Sequence, residues 1–201
     1  MRLKHECRRE SVVKKSRFIA CANRCTSEQE ARDYIASLQK EFRDASHICT
    51  AYIYGPADEF QKSNDNHEPS GTAGIPILKA IQQSGLSDTI VCVVRYFGGI
   101  KLGAGGLIRA YGGAASDVLK DAPKTTEVET SRWQIIYPYS YAGTLEKWLR
   151  TYTTIEDMQY DEQISCIFLS SDENLEEKIA DLTRGECKAE YLGSFVQEAD
   201  L

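Results

Sequence analysis

No stretch of this 201-residue chain approaches the roughly 18 consecutive apolar residues of a bilayer-crossing helix, which excludes a helical membrane span. The start, Met1-Arg2-Leu3-Lys4-His5-Glu6-Cys7, has no apolar core of the signal-peptide kind, and the expectation is a cytoplasmic protein. Cysteine is present seven times but never as a CxxC pair, and an odd count without paired spacing excludes a disulfide framework in favour of reduced thiols. Cys49, Cys92 and Cys166 stand in apolar runs and read as packing residues. Histidine occurs only three times, and neither HExxH nor GxSxG is present, so a hydrolase reading has little to build on. Ser70 in Pro69-Ser70-Gly71 has no assignable base.

What is present suffices for a folded core: 42% of the residues are hydrophobic and 27% charged. The net charge of −6 is unevenly spread. Residues 1–130 hold 18 basic against 16 acidic side chains, and residues 131–201 hold 6 against 14. The first 24 residues concentrate Arg2, Lys4, Arg8, Arg9, Lys14, Lys15, Arg17 and Arg24 against Glu6 and Glu10. Such a cluster is either a footprint for phosphate or the guarded edge of a sheet.

Along the chain, residues 7–13 and 17–25 read as strands, and Ser27-Glu28-Gln29-Glu30 is a capping box opening a helix through Ala31, Tyr34, Ile35, Leu38 and Phe42. Residues 46–54 form a β-branched and aromatic strand, followed from Gly55 to Gly74 by a long polar connection. A short helix from Pro76 to Gly85 precedes the apolar, hence central, strand 89–95. A glycine-dense turn then enters a helix stopped by Pro123. This yields a first domain over residues 1–124, a polar linker over 125–130, and a second domain over 131–201. The second domain reads β-α-β-β-α-β, a ferredoxin-like sheet with both helices on one face.

The strongest chemical signal is the strand, glycine turn and helix spanning residues 91–115. Backbone N–H groups at Gly98, Gly99, Gly103, Gly105 and Gly106, with the cations Arg95, Lys101 and Arg109, suit an anion such as nucleic-acid phosphate. Equally, glycines permit tight turning and close helix-to-sheet contact. Neither the Walker pattern nor the dinucleotide fingerprint is met, because Gly-Lys-Ser/Thr is missing and Ile108 replaces the third glycine. A second constellation is the loop Asp65, His67, Glu68, Ser70 and Thr72, with His47 on the preceding strand, which offers acid–base groups or oxygen ligands for a hard cation. Polar loops are more often simply solvated. Cys21, Cys25, His47 and Cys49 have side chains suited to zinc but not its usual tight-turn spacing. The acidic run Glu173, Glu176, Glu177 and Asp181 marks a helix face open to a basic partner, which keeps a protein-interaction module in play.

Two blocks are specific. Asp65-Asn66-His67-Glu68-Pro69-Ser70-Gly71-Thr72-Ala73-Gly74-Ile75-Pro76-Ile77-Leu78 and Val93-Val94-Arg95-Tyr96-Phe97-Gly98-Gly99-Ile100-Lys101-Leu102-Gly103-Ala104-Gly105-Gly106-Leu107-Ile108-Arg109-Ala110-Tyr111 closely resemble the signature of the YigZ/IMPACT family. Ser16-Arg17-Phe18-Ile19 and His47-x-Cys49-x-Ala51-Tyr52 extend the resemblance over most of residues 1–120. It implies an α+β protein: a first, two-layer α/β domain similar to domain 2 of ribosomal protein S5, and a ferredoxin-like second domain similar to those of elongation factor G. Eukaryotic members regulate translation initiation under amino-acid stress, while bacterial members have no settled biochemical role. Some members have been labelled proline dipeptidases, a chemistry whose dinuclear metal site has no recognisable counterpart in this sequence. The expectation is a non-enzymatic cytoplasmic regulator of translation that binds RNA, the ribosome or a translation factor through the basic glycine turn, with no cofactor. The alternative is a phosphate-ligand or nucleotide-binding enzyme using the same turn, since the S5-like fold is shared with small-molecule kinases.

Overall fold

The computed structural model describes residues 1–201, which divide into two compact units, Met1–Thr126 with Asp200–Leu201, and Glu127–Ala199. In chain order the elements are β1 Arg2–Leu3, β2 Cys7–Val13, β3 Ser16–Arg24, α1 Glu28–Glu41, β4 His47–Tyr54, β5 Phe60–Asn64, α2 Gly74–Ser84, β6 Thr89–Tyr96, α3 Ala104–Asp121 and β7 Lys124–Tyr137. They continue with α4 Lys147–Tyr152, β8 Thr154–Tyr160, β9 Ile164–Ser170, α5 Leu175–Thr183 and β10 Ala189–Asp200. The chain is α+β, as its alternating patterns require, and no helix is long and apolar enough to cross a membrane.

The first unit is built on an antiparallel sheet in the order β2-β3-β6-β4-β5. Strand β6 is central because it is apolar on both faces. Val91 and Val93 pack with Phe18, Ala20, Ile77, Ile81, Leu107 and Tyr111 beneath α2 and α3. Ile90, Cys92 and Val94 pack with Ile19, Cys21, Ala31 and Leu38 beneath α1. Helix α1 therefore adds a layer to the expected two, and each fully buried aliphatic side chain contributes about 1.5–3 kcal/mol of transfer free energy. The capping box holds in a shifted form: Ser27 Oγ accepts from Glu30 N–H at 3.3 Å, while the Glu30 carboxylate accepts from Thr26 N–H at 2.7 Å.

Two expectations need correction. The polar connection 55–74 contains β5, which pairs with β4 from Thr50↔Asn64 to Tyr54↔Phe60. An edge strand needs only backbone partners on one side, so it carries little apolar signature. Residues 125–130 are not a linker but part of β7, whose first residues pair with β1 (Arg2↔Thr125, Leu3↔Lys124). Thr125, Thr126, Val128 and Thr130 are β-branched, and Thr125 and Thr130 are buried, which suits a strand better than a solvated tether.

In the second unit β7 pairs with β9 on one side and β10 on the other, and β8 completes the order β10-β7-β9-β8. Leu149 of α4 and Leu175 and Ile179 of α5 pack with Ile135, Tyr137, Ile164, Cys166 and Phe168. This is the ferredoxin-like arrangement the pattern predicts. The first helical segment of this pattern is subdivided into a 3-10 turn Tyr139–Tyr141, a π turn Ala142–Glu146, and α4.

Candidate functional site

Alternation along β6 puts Arg95 on the same face as Val91 and Val93, where α2 and α3 cover the sheet. Register places it beside Phe18 of β3 and His47 of β4. Its side chain is only 5% exposed, so its charge demands a partner, and Glu68 from the β5–α2 connection supplies one: Arg95 Nη1 donates to Glu68 Oε1 at 2.5 Å. Tyr111 of α3 donates its hydroxyl to the same oxygen at 2.8 Å. Arg95 Nη2 donates to Ser16 Oγ at 3.3 Å, and the guanidinium lies 5.5 Å from the ring centres of both Phe18 and Phe97. His47 Nδ1 sits 2.8 Å from the Asn66 carbonyl, which can only accept, so that nitrogen carries the proton. Its Nε2 points toward Glu68 Oε1 at 3.8 Å. Burial pushes the Tyr111 hydroxyl and the neighbouring Cys49 thiol up, the thiol to about 12. Both stay protonated at neutral pH.

Of the loop constellation only His47 and Glu68 are brought side by side, and the other members do not join them. Asp65 accepts backbone N–H bonds from Gly71 at 2.8 Å, Ala73 at 2.9 Å and Gly74 at 2.8 Å, so it is the anionic cap of α2. Thr72 donates its hydroxyl back to the Pro69 carbonyl at 2.6 Å. Glu68 turns inward, while His67, at φ 66°, and Ser70 face solvent. Cys21 and Cys25 lie in the core under α1 and Cys49 in the core under α2 and α3, so the sheet separates the thiols that a zinc site would have to join.

Burial alone would raise the Asp65 carboxyl, but the three N–H bonds outweigh it and hold it below the usual carboxylate range. Asp65 therefore stabilises the fold at every pH above its unfolded value of about 4, and that contribution disappears as acid protonates it. Asp65→Asn is expected to lose about 1–2 kcal/mol at pH 7 and to flatten the fall in melting temperature between about pH 5 and pH 2. Thermal melts across that range check this, and an unchanged acid limb would sink it.

The glycine turn leaves β6 against the β2–β3 hairpin. Gly98 packs so closely that a Cβ there would lie 2.0 Å from the carbonyl carbon and oxygen of Lys15, and its N–H donates to Ser16 Oγ. Gly99 and Gly103 have positive φ, and Gly103 is the N-cap of α3. Gly105 and Gly106 form the first helical turn, which has no acidic residue and no side-chain cap. Its N–H groups and the positive end of the dipole are thus left to water beside exposed Lys101 and Arg109, neither of which pairs with a carboxylate.

The basic amino-terminal stretch is sorted by the fold. Arg2 pairs with Asp88, Lys4 with Asp200, Arg8 with Glu6 and Glu41, and Arg9 with Asp121. Lys14 and Lys15, at the tip of the β2–β3 hairpin, make no ion pair, and Arg17 lies 4.5 Å over the Tyr96 ring. The exposed cations at the hairpin tip, the glycine turn and the start of α3 are therefore Lys14, Lys15, Lys101 and Arg109, with exposed Arg17 stacked on Tyr96 beside them. Arg95 leaves the anion-binding set, because its charge is spent on Glu68. The acidic residues Glu173, Glu176, Glu177 and Asp181 are exposed at α5, in the other unit.

Ser16 and Tyr111 were not singled out by residue chemistry, and Lys14 and Lys15 were named only within the basic amino-terminal cluster, not with the glycine turn they adjoin. Tyr111 was legible as a core position, four residues after Leu107 on the buried stripe of α3, but its partner is 43 residues away. Gly98 was legible as a glycine, though not the backbone it admits.

Comparison with known proteins bears on the same residues. The sequence profile described as the Impact N-terminal domain matches residues 14–119, which include the Glu68–Arg95–Tyr111 cluster and the glycine turn. The IMPACT family member YvyE of Bacillus subtilis (strain 168) is 43% identical over 159 residues, covering 77% of this chain and 72% of that one. An IMPACT family member of Haemophilus influenzae is 34% identical over 177 residues, covering 87% and 86%. A crystal structure described as that of a hypothetical protein is 28% identical, covers 96% of both chains, and superposes with a TM-score of 0.61. With a domain match over more than half its length and relatives this similar across both units, the chain belongs to the YigZ/IMPACT family.

Proposed function

We propose that this protein is a non-enzymatic regulator acting on the translation apparatus, and that it binds RNA, alone or within the ribosome, at the basic glycine turn. The observation that carries this reading is the exposed, uncapped first turn of α3 flanked by the unpaired cations Lys101 and Arg109. Phosphate oxygens satisfy such N–H groups and cations together. Family membership supports the connection to translation. The enzymatic alternative is less favoured, because Asp65 and Glu68, the loop carboxylates that would hold a hard cation or act as acid and base, accept hydrogen bonds from the protein itself.

Co-sedimentation with ribosomes and total RNA at low and moderate salt tests the proposal. The wild type is expected to pellet at low salt and to dissociate as salt rises. Lys101→Glu/Arg109→Glu is expected to lose binding. Milder replacement of both cations by glutamine is expected to reduce the salt slope by about 1.4, if each cation neutralises one phosphate of a single strand. Unchanged affinity and slope in the charge-reversed variant would remove this site from consideration.

A further inference from the structure

Phe97 is an aromatic ring that the core does not use. It is 48% exposed, and the chain that carries it is anchored at several points. Its own N–H donates to Ser46 Oγ at 3.0 Å, and the preceding Tyr96 hydroxyl donates to Asp44 Oδ1 at 3.0 Å. The following residue, Gly98, is seated on the Lys15 backbone and bonded to Ser16. The Arg95 guanidinium lies over the ring at 5.5 Å and is itself immobilised by Glu68 and Ser16. Cations stand on both chain segments that flank the ring: Lys14 and Lys15 on the hairpin tip that Gly98 touches, and Lys101 four residues along the turn. Ile100, 41% exposed, adds apolar surface between Phe97 and Lys101.

Resting on the reading proposed above, we infer that this surface takes single-stranded RNA, with one unpaired base stacked on Phe97 and adjacent phosphates on Lys14, Lys15 and Lys101. The argument is one of complementary chemistry. An exposed ring costs free energy in water unless a flat apolar partner covers it, and a nucleobase presents such a face only when it is not already stacked in a duplex. With its backbone bonded at and after its own position, the segment carrying the ring is ordered before any base stacks on it. Cations close to an aromatic platform are the arrangement by which single strands are held without sequence readout. A duplex would use the cations and leave Phe97 uncovered.

The test is titration of the full chain with a fluorescent 12-nucleotide single strand, the matching RNA duplex, and polyglutamate as an acidic polypeptide. A second single strand carries 2-aminopurine, whose emission reports stacking. The wild type is expected to prefer the single strand and to quench 2-aminopurine. Phe97→Leu keeps apolar bulk and is expected to bind the single strand about tenfold more weakly, with the salt slope and duplex affinity unchanged and the quenching lost. Phe97→Trp is expected to restore both affinity and quenching. Lys14→Gln/Lys15→Gln is expected to lower the slope instead, by about 1.4. Melting curves establish that each variant is folded. If Phe97→Leu binds the single strand as the wild type does while Lys101→Glu/Arg109→Glu abolishes binding, stacking is wrong and the phosphate reading survives. Duplex binding equal to or tighter than single-strand binding also overturns the inference. A folded wild type that binds polyglutamate but no RNA overturns both readings.

Discussion

Glu68→Ala is expected to destabilise the first unit by about 3–5 kcal/mol, because it strands a guanidinium in a site from which water is excluded. Arg95 is 4% exposed, and Nη1 has no other partner to turn to. The Tyr111 hydroxyl loses its acceptor in the same stroke. Chemical denaturation should show the midpoint falling with an unchanged m-value. The decisive comparison is Glu68→Gln/Arg95→Met, which removes both charges and keeps much of the volume. It should recover most of the loss, since replacing both members of a buried pair costs far less than orphaning one. A double variant no more stable than Glu68→Ala would mean that packing, not charge, is what Glu68 contributes.

Gly98→Ala is expected to cost about 3 kcal/mol, the upper part of the range for overpacking, and to weaken RNA binding as well. The added methyl would meet the main chain of Lys15, which cannot rotate aside as a long side chain could. Relief requires the hairpin tip and the turn to part, and that separates Lys14 and Lys15 from Lys101. Gly99→Ala provides the control: its φ of 81° makes the change costly by about 1–2 kcal/mol, but nothing lies within 4 Å of the added carbon. Equilibrium unfolding of the two variants separates steric from conformational cost. If Gly98→Ala proves the milder change, the close approach does not constrain the site.

The parts of this architecture that were legible from sequence are those whose signal is local. The apolar run of β6, the stripe of α3, the capping box of α1 and the repeated β-α-β of the second unit are each written in a single window. The losses have a common cause. Strand β5 is held by backbone pairing, which side-chain patterning does not record. The amino-terminal part of β7 is threonine-rich, and threonine serves turns and strands alike. Arg95 was read outward because it is charged, although Val91-Val93-Arg95 alternates onto the covered face. The glycine turn and the residues around it were identified together, but the division between buried support and exposed surface needed Glu68, whose role depends on a residue 27 positions away. Asp65 was seen as a candidate ligand because a carboxylate in a loop shows its charge and not the three N–H groups that use it.

The distribution of thiols across the sheet makes this protein its own reporter of partial opening. Six of the seven cysteines are buried and only Cys7 is partly exposed. Burial pushes Cys25 up to about 11 and Cys21 to about 12, and raises Cys92 well above its ordinary value, so none of the three offers a reactive thiolate in the closed state. Cys21, Cys25 and Cys92 lie on the α1 side, Cys49 lies on the α2–α3 side, and Cys166 and Cys187 lie in the other unit. Alkylation kinetics resolved by site thus follow three separate openings in one unmodified chain: α1 lifting, the α2–α3 layer lifting, and the ferredoxin-like core loosening.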